Sequence, residues 1–405
     1  MRTTRNTRAR ARTVLLVVGA CLAAAGEAAI LQQTPEPAAP TAVAPEQLQA
    51  AIDKLGDLDY PTRMAAARTV RRTANSQAAP ALLRAVDEHA DGYVRYRALV
   101  LLTGFSDPRT AEAMREAMSS PNDRLRTVAY SFFERNPDPE IAQRLIAGVD
   151  KEQAEFVRPA LVRALASAAR TNPKAQQILV RDVGRGEDFF RGAVIEALGD
   201  YKAQYAVPAI LEVAKLDGPL QDDAVVALGK IGDKSTLETM AALQRSAPRN
   251  RQPSIASAIC LLGVNCESHE NFTVETLKFT DTNPGFQELL RSSASGLAAL
   301  GVSGRATAVE ALFSVGIPSQ DPTRAPVALA VGTVALRNSS LMLSVLASHP
   351  RRDDALLLLA EGFDMLEEDL EKERFFAFVR RSYWESAEGS PARALFQTVI
   401  GKLDF

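Results

Sequence analysis

The reading of this chain turns on residues 91–110, DGYVRYRALVLLTGFSDPRT. An Asp opens the stretch, an Arg follows four residues later, and an apolar run then gives way to a Gly, Asp and Pro turn. The front of that pattern returns at residues 59–70 (DYPTRMAAARTV), 122–133 (NDRLRTVAYSFF), 155–165 (EFVRPALVRAL) and 188–199 (DFFRGAVIEALG). Aligned on Arg63, Arg95, Arg126, Arg158 and Arg191, the copies are spaced by 32, 31, 32 and 33 residues. Residues 219–233, PLQDDAVVALGKIGD, keep the frame with Gln221 in the Arg position. A unit of about 32 residues, long enough for two helices, predicts a stack of helical pairs.

Within a unit the second helix has the spacing of a buried face. Leu220, Ala224, Ala227, Leu228 and Ile231 fall on one stripe of a 3.6-residue helix, and Val94, Ala98, Leu101 and Leu102 repeat it. The alanines permit close helix approach, while Leu and Val fill the layer between units. Asp107-Pro108, Asn136-Pro137, Asn172-Pro173, Gly199-Asp200 and Gly232-Asp233 end one helix and start the next.

These residues resemble the HEAT-repeat family in its short bacterial form. DGYVRYRALVLLTGFSDPRT matches the front of the family's second-helix pattern, and FFRGAVIEALGD and DDAVVALGKIGD match its end. The resemblance is good over 46–263 and implies an all-α, right-handed α-solenoid of stacked helical pairs. Residues 264–285 lack the motif and read as an irregular junction. Residues 286–405 read as degenerate helical repeats or a C-terminal helical cap, with no Arg register beyond 322. About ten pairs stacked in one dimension predict an elongated molecule. HEAT-like units carry no chemistry of their own, so the resemblance implies a binding scaffold rather than an enzyme.

The Arg column predicts a structural ladder. Asp59, Asp91, Asn122 and Glu187 precede Arg63, Arg95, Arg126 and Arg191 by four residues, the spacing of one helix face. Stacking would then alternate acids and arginines along the inter-repeat turns; a basic ligand groove is the alternative, opposed by the supply of acids. Arg158 departs from the pattern, with Glu155 three residues away. Tyr93, Phe156 and Phe189 form an aromatic column whose expected role is to cover the inter-repeat core, with partner contact the alternative. Because second helices line the concave surface in the family, the resemblance makes Tyr96, Arg97, Arg124 and Tyr130 candidate partner contacts. Residues 361–384 read as an acidic, solvated amphipathic helix, or alternatively as an acidic docking face.

The first thirty residues read as a signal peptide. Arg2, Arg5, Arg8, Arg10 and Arg12 precede an apolar run of 13 residues, Val14 to Gly26, against the roughly 20 needed to cross a bilayer. Val18-Gly19-Ala20-Cys21 resembles a bacterial lipobox, which makes Cys21 a candidate lipidation site; ordinary signal peptidase cleavage and an uncleaved anchor are the other routes. Residues 31–45 are a Pro/Ala-rich tether. The sequence thus places the protein outside the cytoplasm, in the periplasm or cell envelope, touching membrane only through this signal or a lipid on Cys21. Without the five leading arginines the formal charge of -2 becomes -7, which opposes nucleic acid as a partner.

Composition narrows the chemistry. At 46% hydrophobic and 24% charged residues the chain is neither disordered nor a multi-span membrane protein. Three Cys and three His leave little for a metal centre, and Cys260 and Cys266, flanking LLGVN, form a candidate disulfide in an exported protein. HEAT-like hydroxylases hold iron with several His-Glu pairs, and this chain has one, His269-Glu270. HEAT-like DNA glycosylases need a basic concave face; bilin lyases share the repeat but work with complexes on the cytoplasmic side. No nucleophile elbow, P-loop or dinucleotide fingerprint occurs. The expectation is an exported, non-catalytic protein-protein interaction scaffold with no cofactor or metal. A lipid-anchored envelope assembly factor is the first alternative, and an enzyme with a pocket on the concave face the second.

Overall fold

The computed structural model describes residues 40–405. These form 22 α-helices joined by short turns and 3-10 segments, with no β-strand among the described residues. The helices follow one another in antiparallel pairs. The first five are α1 (Pro45–Asp53) with α2 (Tyr60–Arg72), α3 (Asn75–Glu88) with α4 (Gly92–Leu102), α5 (Thr110–Ala117) with α6 (Asp123–Arg135), α7 (Pro139–Gly148) with α8 (Arg158–Ala168), and α9 (Pro173–Asp182) with α10 (Asp188–Asp200). The middle four are α11 (Val207–Ala214) with α12 (Gln221–Ile231), α13 (Leu237–Ser246) with α14 (Gln252–Leu261), α15 (Cys266–Thr282) with α16 (Gln287–Val302), and α17 (Ala306–Gly316) with α18 (Arg324–Arg337). The last two are α19 (Ser339–Ser348) with α20 (Arg352–Met365), and α21 (Asp369–Glu385) with α22 (Pro391–Leu403).

Even-numbered helices stack on one another from α4 to α20, and odd-numbered helices cover them on the outside. The molecule is an all-α solenoid. Its layers are filled by the predicted stripes: Ala98, Leu101 and Leu102 are fully buried, as are Ala224, Ala227 and Leu228. Each Leu removed from water contributes roughly 1.5–3 kcal/mol. The ALG signature has a steric cause. A Cβ added at Gly199 would lie 2.8 Å from the Cα of Ala227, and one at Gly229 would lie 2.7 Å from the Cα of Ala258, so these glycines set the approach of consecutive inner helices.

The Arg column is structural, but it works differently from the ladder expected. Asp59, Asp91 and Asn122 are helix N-caps, accepting backbone N–H groups of Thr62, Tyr93 and Arg124; Glu187 occupies the same place without a side-chain cap. Free of those acids, the arginines donate to carbonyls at the end of the preceding outer segment: Arg95 Nε to Val86 at 2.6 Å, Arg126 to Ser120 at 2.8 Å, Arg191 to Val183 at 3.0 Å and Arg63 to Asp57 at 2.6 Å. Each therefore ties a helix C-terminus, with its exposed carbonyls and negative dipole end, to the next helix. Gln221 makes the same bond to Ala214. Arg158 instead stacks on Phe190, 3.6 Å from the ring centroid.

Three further expectations change. Residues 266–282, read as an irregular junction, form the 17-residue helix α15. The Arg register does not stop at 322, because Arg324 donates to Gly316 and Ile317, and Arg352 to Leu346 and Ala347. The last residues of the tether are also engaged: Thr41 exchanges backbone bonds with Arg72 and Ala74, and Val43 with the Gln77 side chain. Residues 1–39, with the signal segment and Cys21, lie outside the described residues. Among those described, no single helix is long and apolar enough to cross a membrane.

The buried apolar side chains form two clusters, one running from Leu48 to Leu262 and joined by Leu370 of α21, the other from Cys260 to Phe405. They part at the α14–α16 seam, where Ser254 meets Ser292 at 2.9 Å and Ser257 and Ser293 are fully buried. Small polar residues let these helices touch without an apolar layer between them. The second array curves back on the first, so the stack is closed instead of extended. Helix α21 crosses to α4 and α6, and Arg71 meets Glu373 across 302 residues of sequence.

Candidate functional site

Closure makes the concave face a deep, partly open space. The inner helices α6, α8, α10, α12, α14, α16 and α18 surround a cavity of about 740 Å³. Its wall is charged, and most of the charge is paired. Arg163 on α8 donates to Glu134 on α6 at 3.1 Å and to Asp200 on α10 at 2.9 Å, and Lys230 on α12 reaches Asp200 at 2.7 Å. Tyr201 completes the row with a 3.0 Å bond to Glu134. Burial works against ionised Glu134 and Asp200, but Arg163 and Lys230 override it and hold both carboxyls below the ordinary range.

This row is the alternating ladder, one column away from where the sequence placed it. Glu134, Arg163, Asp200 and Lys230 sit near the same level of successive inner helices, separated by 29, 37 and 30 residues. Their near-repeat spacing with alternating sign was the signal that an alignment on the Arg column alone passes over.

Of the other cavity carboxylates, Asp188 pairs with Arg191 and Glu196 with Arg163, which leaves two without an ion pair among the described residues. Asp222 has a solvent-shielded Oδ1 with no hydrogen-bond partner among the described residues, and burial raises its carboxyl. Asp223 faces water inside the cavity, yet enclosure, with Glu196 and Asp222 nearby, pushes it up to about 6. Phe189 lines the same cavity and is 52% exposed. It does not cover the inter-repeat core as expected; neither does Phe156, at 83% exposed.

The four candidate partner contacts lie elsewhere and are engaged within the chain. Tyr96 donates to Asp369 at 2.7 Å and Arg97 pairs with the same carboxylate at 2.6 Å. Arg124 lies over the rings of Tyr93 and Tyr96, and Tyr130 is buried. Asp369 begins α21, so the acidic segment read as solvated is a docking face turned onto its own chain. Glu371 and Glu373 are buried, Arg135 pairs with Glu371, and Arg374 donates to the Ser131 carbonyl at 2.9 Å. Although burial opposes it, Arg97 and Lys372 hold Asp369 far below its ordinary range.

Cys260 and Cys266 are joined by a disulfide across the turn between α14 and α15, where Gly263 has φ +78°. Glu270 is buried against Arg305 and Thr307, so its carboxylate is already used. No group of three or more His, Cys, Asp or Glu among the described residues is arranged to hold a metal ion.

Residues 48–132 and 79–166 match the HEAT-repeats family model. Over that span the chain is similar to HEAT repeats. No curated protein matches it. Solved structures similar to it include the Escherichia coli protein YibA, 17% identical over 55% of this chain and 83% of that one, with a TM-score of 0.41. The CpcE–CpcF complex of phycocyanin lyase from a Nostoc species is 20% identical over 64% and 97%, with a TM-score of 0.41. Importin beta is 13% identical over 89% and 58%, with a TM-score of 0.34.

Proposed function

We propose that this chain is an exported, non-catalytic binding scaffold that receives a segment of a partner protein in its central cavity. The observation that carries the reading is the cavity wall itself, built by seven inner helices and offering an exposed Phe189 beside the unpaired carboxylates Asp222 and Asp223. An aromatic face with adjacent carboxylates suits a cationic side chain, held by charge and by its attraction to the ring. The Glu134–Arg163–Asp200–Lys230 row spends its charges on itself and acts as a rigid frame. Export rests on the basic and apolar leader, and the lipid-anchored form rests on Cys21.

A photo-crosslinking residue placed at Phe189 in protein expressed in its native envelope tests the reading, with the same residue at exposed Phe156 as the outer-surface control. The expected result is a discrete partner captured from position 189. Capture from 156 alone would move the binding face to the outside. Membrane fractionation of Cys21→Ser distinguishes the lipid-anchored assembly factor, which would be released, from the soluble form. The raised carboxyl of Asp223 beside Glu196 is the one feature favouring an enzyme, since a carboxyl near 6 can exchange protons at neutral pH.

A further inference from the structure

A second cavity, of about 130 Å³, lies between the two ends of the closed solenoid. That is room for a small cluster of waters. Helices α2 and α4 supply Arg63, Arg71 and Arg97 to its wall; α21 supplies Lys372. Asp364 and Asp369 also line it, so cations outnumber carboxylates by four to two.

Arg71 is the residue that gives this space a chemistry. It is 4% exposed, and Nε and Nη2 are bonded to Glu373. Its Nη1 is shielded from solvent and donates to nothing among the described residues. A buried guanidinium N–H without an acceptor is costly, and neither carboxylate of the wall bonds to it: Asp369 is engaged by Tyr96 and Arg97, and Asp364 accepts from Tyr60. Arg97 and Lys372 bring further positive charge to the same wall.

We infer that this cavity binds a small oxyanion of the size of inorganic phosphate, which accepts a hydrogen bond from Arg71 Nη1. Guanidinium suits such a ligand because its planar N–H groups match oxyanion geometry. The ligand touches both ends of the solenoid, so the site exists only when the ring is shut. By linkage, the anion stabilises closure in proportion to its occupancy. A salt that only screens charge acts in the opposite sense on the ion pairs of the closure.

The test uses the mature full-length chain at neutral pH, titrated calorimetrically with sodium phosphate and compared with sodium chloride at matched ionic strength. One phosphate is expected to bind per chain, with a melting temperature that rises and then saturates; chloride should give no saturable rise. Arg71→Lys keeps a cation for Glu373 but removes the spare nitrogen, and should weaken phosphate about tenfold or more, the loss of one charge-assisted bond. If that variant does not fold, Lys372→Met, which takes one positive charge from the wall along with its bonds to Phe363, Leu366 and Asp369, provides a second comparison. No saturable binding to the unaltered protein overturns the inference. So does an affinity unchanged in Arg71→Lys or, where that variant does not fold, in Lys372→Met.

Discussion

Arg71 and Glu373 lie 302 residues apart in sequence, yet Nη2 and Oε2 are 2.7 Å apart and both side chains are almost completely buried. The guanidinium also stands over Phe376, 5.1 Å from the ring centroid, and Phe376 stacks on Phe405. This one contact ties the first pair of the solenoid to the eleventh. A buried ion pair of this kind adds little net stability over an apolar pair but is costly to break from one side, so it fixes where α21 docks more than how firmly.

Glu373→Ala leaves the Arg71 guanidinium buried and unpaired, at a cost of roughly 3–5 kcal/mol. Apart from Leu370 of α21, which packs into the first cluster, the two arrays have separate apolar clusters, so this cost should open the ring before it unfolds either array. Small-angle scattering is expected to show a larger radius of gyration, with far-ultraviolet circular dichroism unchanged. An unchanged radius would mean that the aromatic contacts of Phe376 hold α21 without the ion pair.

Acid and base act on the closure and on the cavity with opposite signs. Asp369 is held below its unfolded value, so its contribution is complete above about pH 4 and is lost as pH falls through the folded value. Asp223 is raised to about 6, so between about pH 4 and 6 the folded chain holds a proton that the unfolded chain releases, and stability declines as pH rises through that window. Asp223→Asn should flatten the decline in melting temperature between pH 4 and 7 while leaving the acid loss in place. A decline that persists in the variant would assign it to another group.

The repeat was legible because it is local and recurrent. Arg95, Ala98 and Leu101 report the same environment as their counterparts about 32 residues away, and the helix stripes follow from side-chain periodicity. The i, i+4 acids misled because a residue four before an Arg at a helix start is also the N-cap position; capping and pairing ask for the same residue type. Arg324 and Arg352 stand, like Arg158 and Gln221, at the first position of their helices and reach the same kind of carbonyl, but they lie beyond the stretch over which the motif is recognisable. Closure was not legible at all. It depends on curvature accumulated over eleven pairs and on contacts such as Tyr96–Asp369, separated by 273 residues, for which no local pattern exists.

Gly229→Ala tests whether close approach sets the inner stack. The new Cβ would meet the Ala258 backbone at 2.7 Å from Cα and 2.8 Å from the carbonyl oxygen, and a helix backbone cannot yield as a flexible side chain does. Overpacking of this kind costs about 1–3 kcal/mol, read as a lowered melting temperature. Gly218→Ala, with nothing within 4 Å, is the control and should be neutral.

Arg95→Ala removes the donor to the Val86 carbonyl at the end of α3. The bond is charge-assisted, and its loss should cost about 1.5–3 kcal/mol in chemical denaturation. Arg324→Ala should behave alike, since it frees the carbonyls of Gly316 and Ile317 and strips Glu361 of its partner. Because neither side chain lines the central cavity, partner capture through position 189 should persist in both. A variant with normal stability and lost capture would reverse the structural reading of the column.

The Cys260–Cys266 bond closes a loop with a sequence separation of 6, for which the chain-entropy argument gives only about 2 kcal/mol. It therefore pins the turn between α14 and α15, beside the seam at which the two apolar clusters part, and does little for either array as a whole. Reduction of purified envelope protein should lower the melting temperature slightly and increase hydrogen exchange at residues 262–268 without changing the remaining helices. Thiol labelling after denaturation gives the direct check: neither cysteine should react until reductant is added. Full labelling without reductant would show the thiols free in the cell, and would remove one support for the oxidising compartment that the leader implies.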